Sequence, residues 1–424
     1  MTSRLTPILG SSIILLLVLG AGLRNQYLIF ASVPLFTLVA LIKLFAINPN
    51  LNVEVKVTPF HTSIYEGESA EFNVDVHNLG PAVGVVDVLV VIPSELELKD
   101  GTNHYIGSLQ EGESVQFAFS VSPRVFGVHR LGPVRVRTLD ILGSFVEQMV
   151  VDFTFDLKVY PEVQYTSQIR IKPRNPRSWP GEILTRKTGM GMEFYGLRSY
   201  EPTDPVRKIN WKASSRSEEL LTNLFMSEFG GDTVVVLDAR SVSVLGTPPN
   251  STITYATRAA AVVVYRLLRD RNRVGMIALG SRLDKVSPGF GRKQFDRLLT
   301  SMIGIKPGNI WDIRNLAAYL SIFFSRQTQI VVITPLMDDN SYEAVAEISA
   351  KGYPLLVISP SPVEFEVQYM KRGEIERIAE KLVRLERETK LSLLRRHAAV
   401  VDWNVREPLA QALKQMNQTW VKAR

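Results

Sequence analysis

The pattern of apolar residues changes along this chain, and that change limits the folds open to it. Between residues 51 and 160, apolar and polar residues alternate, as in Val53–Val57 and Ala70–Val76. After residue 230, continuous apolar runs such as Thr233–Leu237 are separated by segments of helical periodicity. Alternation indicates strands with one buried face, whereas continuous runs indicate strands buried on both faces. We therefore expect an all-β domain followed by an α/β domain.

The all-β domain is predicted to span residues 51–160. Its short apolar runs are separated by turn signals such as Asp100-Gly101 and Glu111-Gly112. Six or seven short strands with regular turns are typical of an antiparallel sandwich of immunoglobulin-like type. Such domains are mostly spacers or binding platforms, so we expect no catalysis here.

Residues 231–424 are predicted to form a doubly wound α/β domain with a parallel sheet. Strands are expected at 233–237, 274–279, 329–333, 355–358 and 398–401, with helices near 254–269, 291–301, 313–324, 341–351 and after 407. A longer helical segment from Tyr369 to about Arg396 has Ile375, Ile378, Leu382 and Leu385 on one face. This segment is either a solvated amphipathic helix packed on the sheet or a coiled-coil site for a partner.

The first fifty residues are predicted to form two transmembrane helices in a tight hairpin. Residues 5–23 lack charge, and a second apolar stretch at 27–46 is broken only by Lys43. Each stretch has about the length needed to cross a bilayer. The flanking positive charges would place the later domains in the cytoplasm, at a cell membrane whose lipid is a partner. The alternative is a cleavable signal peptide followed by one anchor.

The composition removes several classes of site. The chain has no cysteine, which excludes disulfides, thiolate nucleophiles and cysteine-ligated metals. Its net charge of +7 is spread along the sequence, so nucleic acid is not an expected partner. Neither a phosphate-binding loop nor a nucleophile elbow occurs. We therefore expect no enzyme activity and no cofactor.

One possible metal site follows the first strand of the α/β domain. Ligands of doubly wound sheets bind beyond the carboxyl ends of the strands, and the von Willebrand factor A fold has a metal-binding D-x-S-x-S there. Here the sequence after Asp238 places Arg240 at the first serine position, with Ser241 and Ser243 shifted by one. Thr334 stands where a second acidic ligand would be expected. We therefore predict a degenerate site and a structural salt link between Asp238 and Arg240 or a neighbouring basic residue.

Residues 161–230 are predicted to be a linker that ends in a segment, 193–216, dense in aromatic, basic and acidic residues. This segment resembles the signature of the family called domain of unknown function 58, roughly E-F, L-R-x-Y and P-G-D-D-x-R-x-I-D-W-K-A-S-A-R. It departs from that pattern at Thr203, Pro205 and Asn210. The candidate residues for partner binding or for the domain junction are Glu193, Arg198, Tyr200, Asp204, Arg207, Trp211, Lys212 and Arg216.

The resemblance implies a function as well as a fold. Members of that family are typically membrane-tethered, have a β domain and a von Willebrand factor A-like domain, and look like partners of MoxR-type AAA+ ATPases. It thus implies a non-catalytic, membrane-anchored adaptor or scaffold in the assembly or maturation of other proteins. The alternatives are an extracytoplasmic adhesion or envelope scaffold protein and a metal-dependent hydrolase. The arginines of the signature have a purely structural interpretation too, as ion-pair partners of Glu193, Glu201 and Asp204.

Overall fold

The computed structural model describes residues 5–45, 51–139, 145–163, 183–202, 204–229, 232–369 and 373–414. The chain divides into two compact units, Met1–Val159 and Tyr160–Arg424. The first contains two helices and a set of antiparallel sheets, and the second is built from mixed α/β structure.

Two helices that pack against each other begin the first unit: α1 (Leu5–Gly22) and α2 (Gln26–Phe45). The chain reverses at Arg24, whose φ of 47° is left-handed. The Asn25 side chain stabilises the start of α2 because its Oδ1 accepts a hydrogen bond from the Tyr27 amide at 3.0 Å.

The predicted transmembrane hairpin is wrong. Across the described parts of the chain, no helix has both the length and the apolar character needed to cross a membrane. The 18 residues of α1 span about 27 Å, less than the roughly 30 Å of a hydrocarbon core. α2 is continuous but contains Pro34, which cannot donate a backbone hydrogen bond, and the Ser32 and Thr37 hydroxyls donate to carbonyls three residues earlier. The fold therefore combines β-sheets and α/β structure without a membrane-spanning hairpin.

Strands in the β region of the first unit bury one face, as β3 (Ala70–Asn78) shows. In β3 the residues alternate between buried and more accessible positions. Phe72 of this strand stacks on Phe119 with the ring centroids 5.3 Å apart, near the centre of the core. The other strands are β1 (Val53–Pro59), β2 (Ser63–Tyr65), β4 (Val83–Val90), β5 (Leu96–Gly101), β6 (His104–Leu109), β7 (Ser114–Pro123), β8 (Gly127–Leu131), β9 (Val134–Leu139), β10 (Phe145–Val151) and β11 (Phe155–Tyr160). They form sheets of order β1-β3-β7-β5, β10-β9-β4-β6 and β2-β11-β8.

The second unit begins with a long antiparallel ribbon of two strands, β12 (Ile183–Ser199) and β13 (Leu221–Phe229). Residues 183–190, which the sequence assigned to a linker, are therefore part of a strand. Residues 164–182 of the predicted linker lie outside the described residues. The loop that joins the two strands contains the short helix α3 (Trp211–Ser214).

The rest of the second unit is a six-stranded sheet with helices. Its order is β18-β17-β14-β19-β20-β21, and every neighbouring pair is parallel except β17 with β18. The strands are β14 (Asp232–Asp238), β17 (Arg273–Leu279), β18 (Leu283–Gly289), β19 (Gln329–Ile333), β20 (Leu355–Pro360) and β21 (Ala399–Trp403), and a small hairpin pairs β15 (Gly246–Thr247) with β16 (Asn250–Ser251). The helices are α4 (Thr252–Arg269), α5 (Arg292–Ile303), α6 (Leu316–Phe323), α7 (Asp339–Ala350), α8 (Val363–Tyr369) and α9 (Glu374–Leu394).

The register of the central strands decides which polar residues meet. Leu237 of β14 lies opposite Ile333 of β19, so Asp238 and Thr334 follow at the same edge of the sheet. The apolar residues before them are completely buried, as expected for a parallel strand covered on both faces. This edge is where ligands of such sheets usually bind.

Candidate functional site

A cluster of polar side chains fills the edge of the sheet beyond β14 and β19. At its centre is Arg240, whose side chain is only 6% exposed. Its Nε and Nη2 donate to the two carboxylate oxygens of Asp238, each at 2.9 Å. Its Nη1 and Nη2 donate to the two oxygens of Asp338, each at 3.0 Å. One guanidinium therefore bridges two carboxylates with bidentate geometry on both sides.

Hydroxyl groups complete the cluster. Ser243 and Thr334 donate to Oδ2 of Asp238 at 2.7 and 2.8 Å. Ser341 accepts from Arg240 at 2.6 Å and donates to Asp338. Because Asp238 is completely buried, these bonds replace the water that its charge would otherwise require.

The charges of the cluster stabilise one another. Burial by itself lowers the pKa of the Arg240 guanidinium, but the hydrogen bonds to Asp238 and Asp338 outweigh burial and raise that pKa. Burial likewise raises the pKa of the Asp338 carboxyl, and the hydrogen bonds from Arg240 and Ser341 outweigh it and lower that pKa. Arg240 thus stays protonated and occupies the space between the two carboxylates that a divalent cation would need.

The predicted salt link between Asp238 and Arg240 is confirmed. Ser243 and Thr334 join it, but Ser241 is exposed and lies outside the cluster, with its amide donating to Asn309 at 2.9 Å. Within the described residues, no group of three or more histidine, aspartate or glutamate side chains is arranged to hold a metal ion. No role was predicted for Asp338 or Ser341, because only the fold brings them to Arg240.

The loop between β12 and β13 contains most of the signature residues. Arg198 at the end of β12 forms ion pairs with Asp204 at 2.6 Å and with Glu201 at 3.2 Å. The other Asp204 oxygen accepts from the Glu201 amide at 3.1 Å, and the Tyr200 hydroxyl donates to the Asp204 carbonyl at 3.4 Å. These contacts brace the loop, as the structural interpretation of the motif expects.

Polar contacts also fix the second half of the loop to β13. Oδ1 of Asn210 caps α3 by accepting from the Ala213 amide at 3.0 Å, and its Nδ2 donates to Asn223 at 2.8 Å. The Ser214 hydroxyl accepts from the Leu221 amide at 2.8 Å. An asparagine suits this position because its amide supplies the donor that an aspartate lacks. These hydrogen bonds fix the backbone of the loop, and so they fix the positions of its exposed side chains.

The outward side chains of this loop are Val206, Arg207, Trp211, Lys212 and Arg216, which we call the signature surface. The apolar members Val206 and Trp211 are 61% and 63% exposed. The three cations are exposed as well, and in the described part of the chain they form no ion pair. The structural interpretation thus holds for Arg198, whereas Arg207 and Arg216 form no ion pair with Glu201 or Asp204. Glu193 lies in β12, and its side chain lies outside the described residues.

A family model described as "Protein of unknown function DUF58" matches residues 196–367. This match supports the assignment of that region to the DUF58 family. The matched region includes both the signature surface and the Arg240 cluster, so the two sites belong to the part of the chain that resembles DUF58. No curated protein matches the chain.

Two of the similar solved structures match about a quarter of the chain. The CARDB domain of the PF1109 protein from Pyrococcus furiosus, solved with di-metal ions, is 24% identical over 27% of this chain and 96% of that chain, with a TM-score of 0.19. Alpha-2-macroglobulin of E. coli is 17% identical over 26% of this chain and 7% of that chain, with a TM-score of 0.21. At such TM-scores these similarities say nothing more about this chain.

Proposed function

We propose that this chain is a non-catalytic adaptor or scaffold that binds a protein partner through the signature surface. The observation behind the proposal is the exposure of Trp211 beside Arg207, Lys212 and Arg216, on a loop held in place by its polar contacts. Tryptophan and arginine are enriched at the energetic centres of protein interfaces. An exposed tryptophan among cations that form no ion pair with a described residue fits an acidic surface on another protein.

The proposed partner is a MoxR-type AAA+ ATPase. The basis is the resemblance of the signature segment to DUF58, whose members look like adaptors of such ATPases. The cationic signature surface adds a physical requirement, since its partner must offer carboxylates near an apolar pocket. Assembly or maturation of other proteins would then be the task of the pair.

The Arg240 cluster supports the non-catalytic part of the proposal. We infer that the α/β unit is von Willebrand factor A-like, because Asp238, Ser243 and Thr334 lie at the edge where that fold binds its metal. Here Arg240 supplies the positive charge from within the chain. Partner binding should therefore not need a divalent cation bridging from this edge.

The experiment is a pull-down with the tagged full-length chain from its native cells, with and without nucleotide. Wild type is compared with an Arg207→Glu, Trp211→Ala variant and with Arg297→Glu, a matched charge reversal at an exposed residue of α5. We expect an AAA+ ATPase that is captured by wild type and by the control and lost from the double variant. Equal capture by all three, or capture of no ATPase, would reject the proposal.

A further inference from the structure

Helix α9 carries a stripe of large apolar side chains that the described structure leaves exposed. Its members are between 54% and 80% exposed. The residues of this outer stripe are Ile375, Ile378, Leu382, Leu385 and Leu393. Single exposed apolar residues are ordinary, but a contiguous row on one helix face usually marks a contact with another molecule.

The opposite face of α9 is fixed to the α/β unit. Arg387 donates to Asp402 and Ser359 at 2.8 and 2.7 Å, and Arg384 donates to the buried Glu364 at 2.7 Å. Leu391 and Leu394 are buried on the same side. Turning the helix to bury the outer stripe would break these bonds, so the exposure is built into the fold.

The spacing of the stripe is that of a coiled coil. Ile375, Ile378, Leu382 and Leu385 follow one another at intervals of three, four and three residues, the a and d positions of two heptads. We propose that the outer stripe binds the same stripe of a second copy of this chain, with the two α9 helices parallel and in register. This proposal does not depend on the signature surface or its partner.

The charges beside the stripe select a second copy in the parallel orientation. In a parallel pair, Lys381 at a g position faces Glu386 at the e position of the second copy, and symmetry repeats this ion pair. In an antiparallel pair of the same four layers, Lys381 would face Lys381 of the second copy, and Glu374 would face Glu388 of the second copy. Both contacts would be repulsive. Lys381 forms no ion pair in the described part of the chain, and Glu386 is exposed with only an i,i+4 pair to Lys390 at 3.3 Å, so both can reach a second copy.

The short stripe limits how strong such a dimer is. Two heptads form a seam near the lower end of stable interfaces, so we expect association that depends on protein concentration. The contact is two-fold symmetric, so each copy uses its α9 stripe in one contact and has no second stripe for a third copy. A dimer, not a filament, is therefore the expected product.

The absence of cysteine in the native chain allows a direct test of the orientation. In a parallel pair, Ile378→Cys places two identical positions face to face and should give a disulfide-linked dimer on oxidation. The control is Arg377→Cys, an exposed neighbour on the flank of the helix. Because a disulfide needs Cα atoms within about 7 Å, this control should not become cross-linked. A non-reducing gel of the full-length protein shows whether each of the two variants forms a disulfide-linked dimer.

Sedimentation equilibrium of the full-length chain supplies the second readout. Lys381→Glu should weaken the dimer roughly tenfold, since two attractive pairs become two repulsive ones. The double variant Lys381→Glu, Glu386→Lys should restore it, and Arg377→Glu should leave it unchanged. Thermal unfolding followed by circular dichroism confirms that each variant is folded.

The outcomes decide the proposal clearly. Cross-linking at 378 alone, with rescue by the charge exchange, supports the parallel dimer. A wild-type chain that is monomeric at all concentrations would overturn it, and the stripe would then belong to a different partner. A dimer that ignores Lys381→Glu, or equal cross-linking at 377 and 378, would overturn it too. Loss of the ATPase interaction with an intact dimer would affect only the proposed function.

Discussion

Arg240 and Arg207 lie in the same α/β unit, yet their surroundings are opposite. Arg240 is buried and donates to two carboxylates, whereas Arg207 is exposed and forms no ion pair in the described part of the chain. The first guanidinium offsets charges that the fold itself has buried, and the second remains available for another molecule. Removing the first should therefore reduce stability, and removing the second should reduce only binding.

The largest effect is expected from Arg240→Ala. The change leaves Asp238 fully buried and Asp338 partly buried with no cation between them. Breaking a buried ion pair in this way typically costs about 3–5 kcal/mol in the free energy of unfolding. Urea unfolding of wild type and variant measures the loss. A loss of less than about 1 kcal/mol would mean that the cluster is not the structural lock described here.

Magnesium can sharpen this first result. In Arg240→Ala, the oxygens of Asp238, Asp338, Ser243 and Thr334 would face a space that a hard cation fits. Millimolar magnesium should then recover part of the lost stability in the variant and none in wild type. Equal shifts in both proteins would show a general salt effect instead.

A smaller loss is expected from Arg387→Ala in α9. Arg387 is also buried, but it pairs with the single carboxylate of Asp402, whose side chain is 27% exposed and so keeps some water. The unpaired carboxylate should be less costly, and we expect a loss of about 2 kcal/mol. A loss as large as that of Arg240→Ala would mean that the number of carboxylates does not govern the effect.

The sequence predicted the fold best where hydrophobic pattern alone decides it. The continuous run at 233–237 became β14, and the helical periodicity at 254–269 became α4 with a slightly earlier start. The hairpin prediction counted residues 5–23 and 27–46 as two spans, but α1 ends at Gly22 and α2 contains Pro34. In α9 the pattern located the helix, but Arg384 and Arg387 on the face opposite the stripe hold the helix to the α/β unit and leave the stripe exposed. Periodicity does not show which face a helix buries when ion pairs fix its orientation.

The candidate site was predictable in part. The salt link of Asp238 with Arg240 follows from two residues that are neighbours in sequence. Asp338 lies nearly a hundred residues further on, and only the parallel pairing of β14 with β19 brings it to the same edge. In the signature loop, the sequence identified the charged residues but did not show that Arg198 pairs inward while Arg207 faces solvent.

Asp338→Asn should have a modest effect that depends on pH. At neutral pH it removes one charge next to Arg240, which we expect to cost about 1–2 kcal/mol. The pKa of the Asp338 carboxyl is lowered in the folded protein by its hydrogen bonds from Arg240 and Ser341, which outweigh burial. Its contribution to stability is thus present above the unfolded value of about 3.9 and is lost as pH falls through the lowered folded value. Urea unfolding at several pH values should show the difference between wild type and variant shrinking below about pH 4.

The smallest effect on stability is expected from Arg207→Glu. It tests the second half of the comparison with Arg240, because an exposed arginine should matter for binding and not for stability. The side chain is exposed and forms no ion pair with a described residue, so the free energy of unfolding should change by less than about 0.5 kcal/mol. Arg198→Ala on the same loop is the matched contrast, because it removes the ion pairs to Asp204 and Glu201. It should increase proteolysis of the loop, whereas Arg207→Glu should not. If Arg207→Glu destabilised the protein as much as Arg198→Ala, Arg207 would be part of the loop's frame and the signature surface would lose a member.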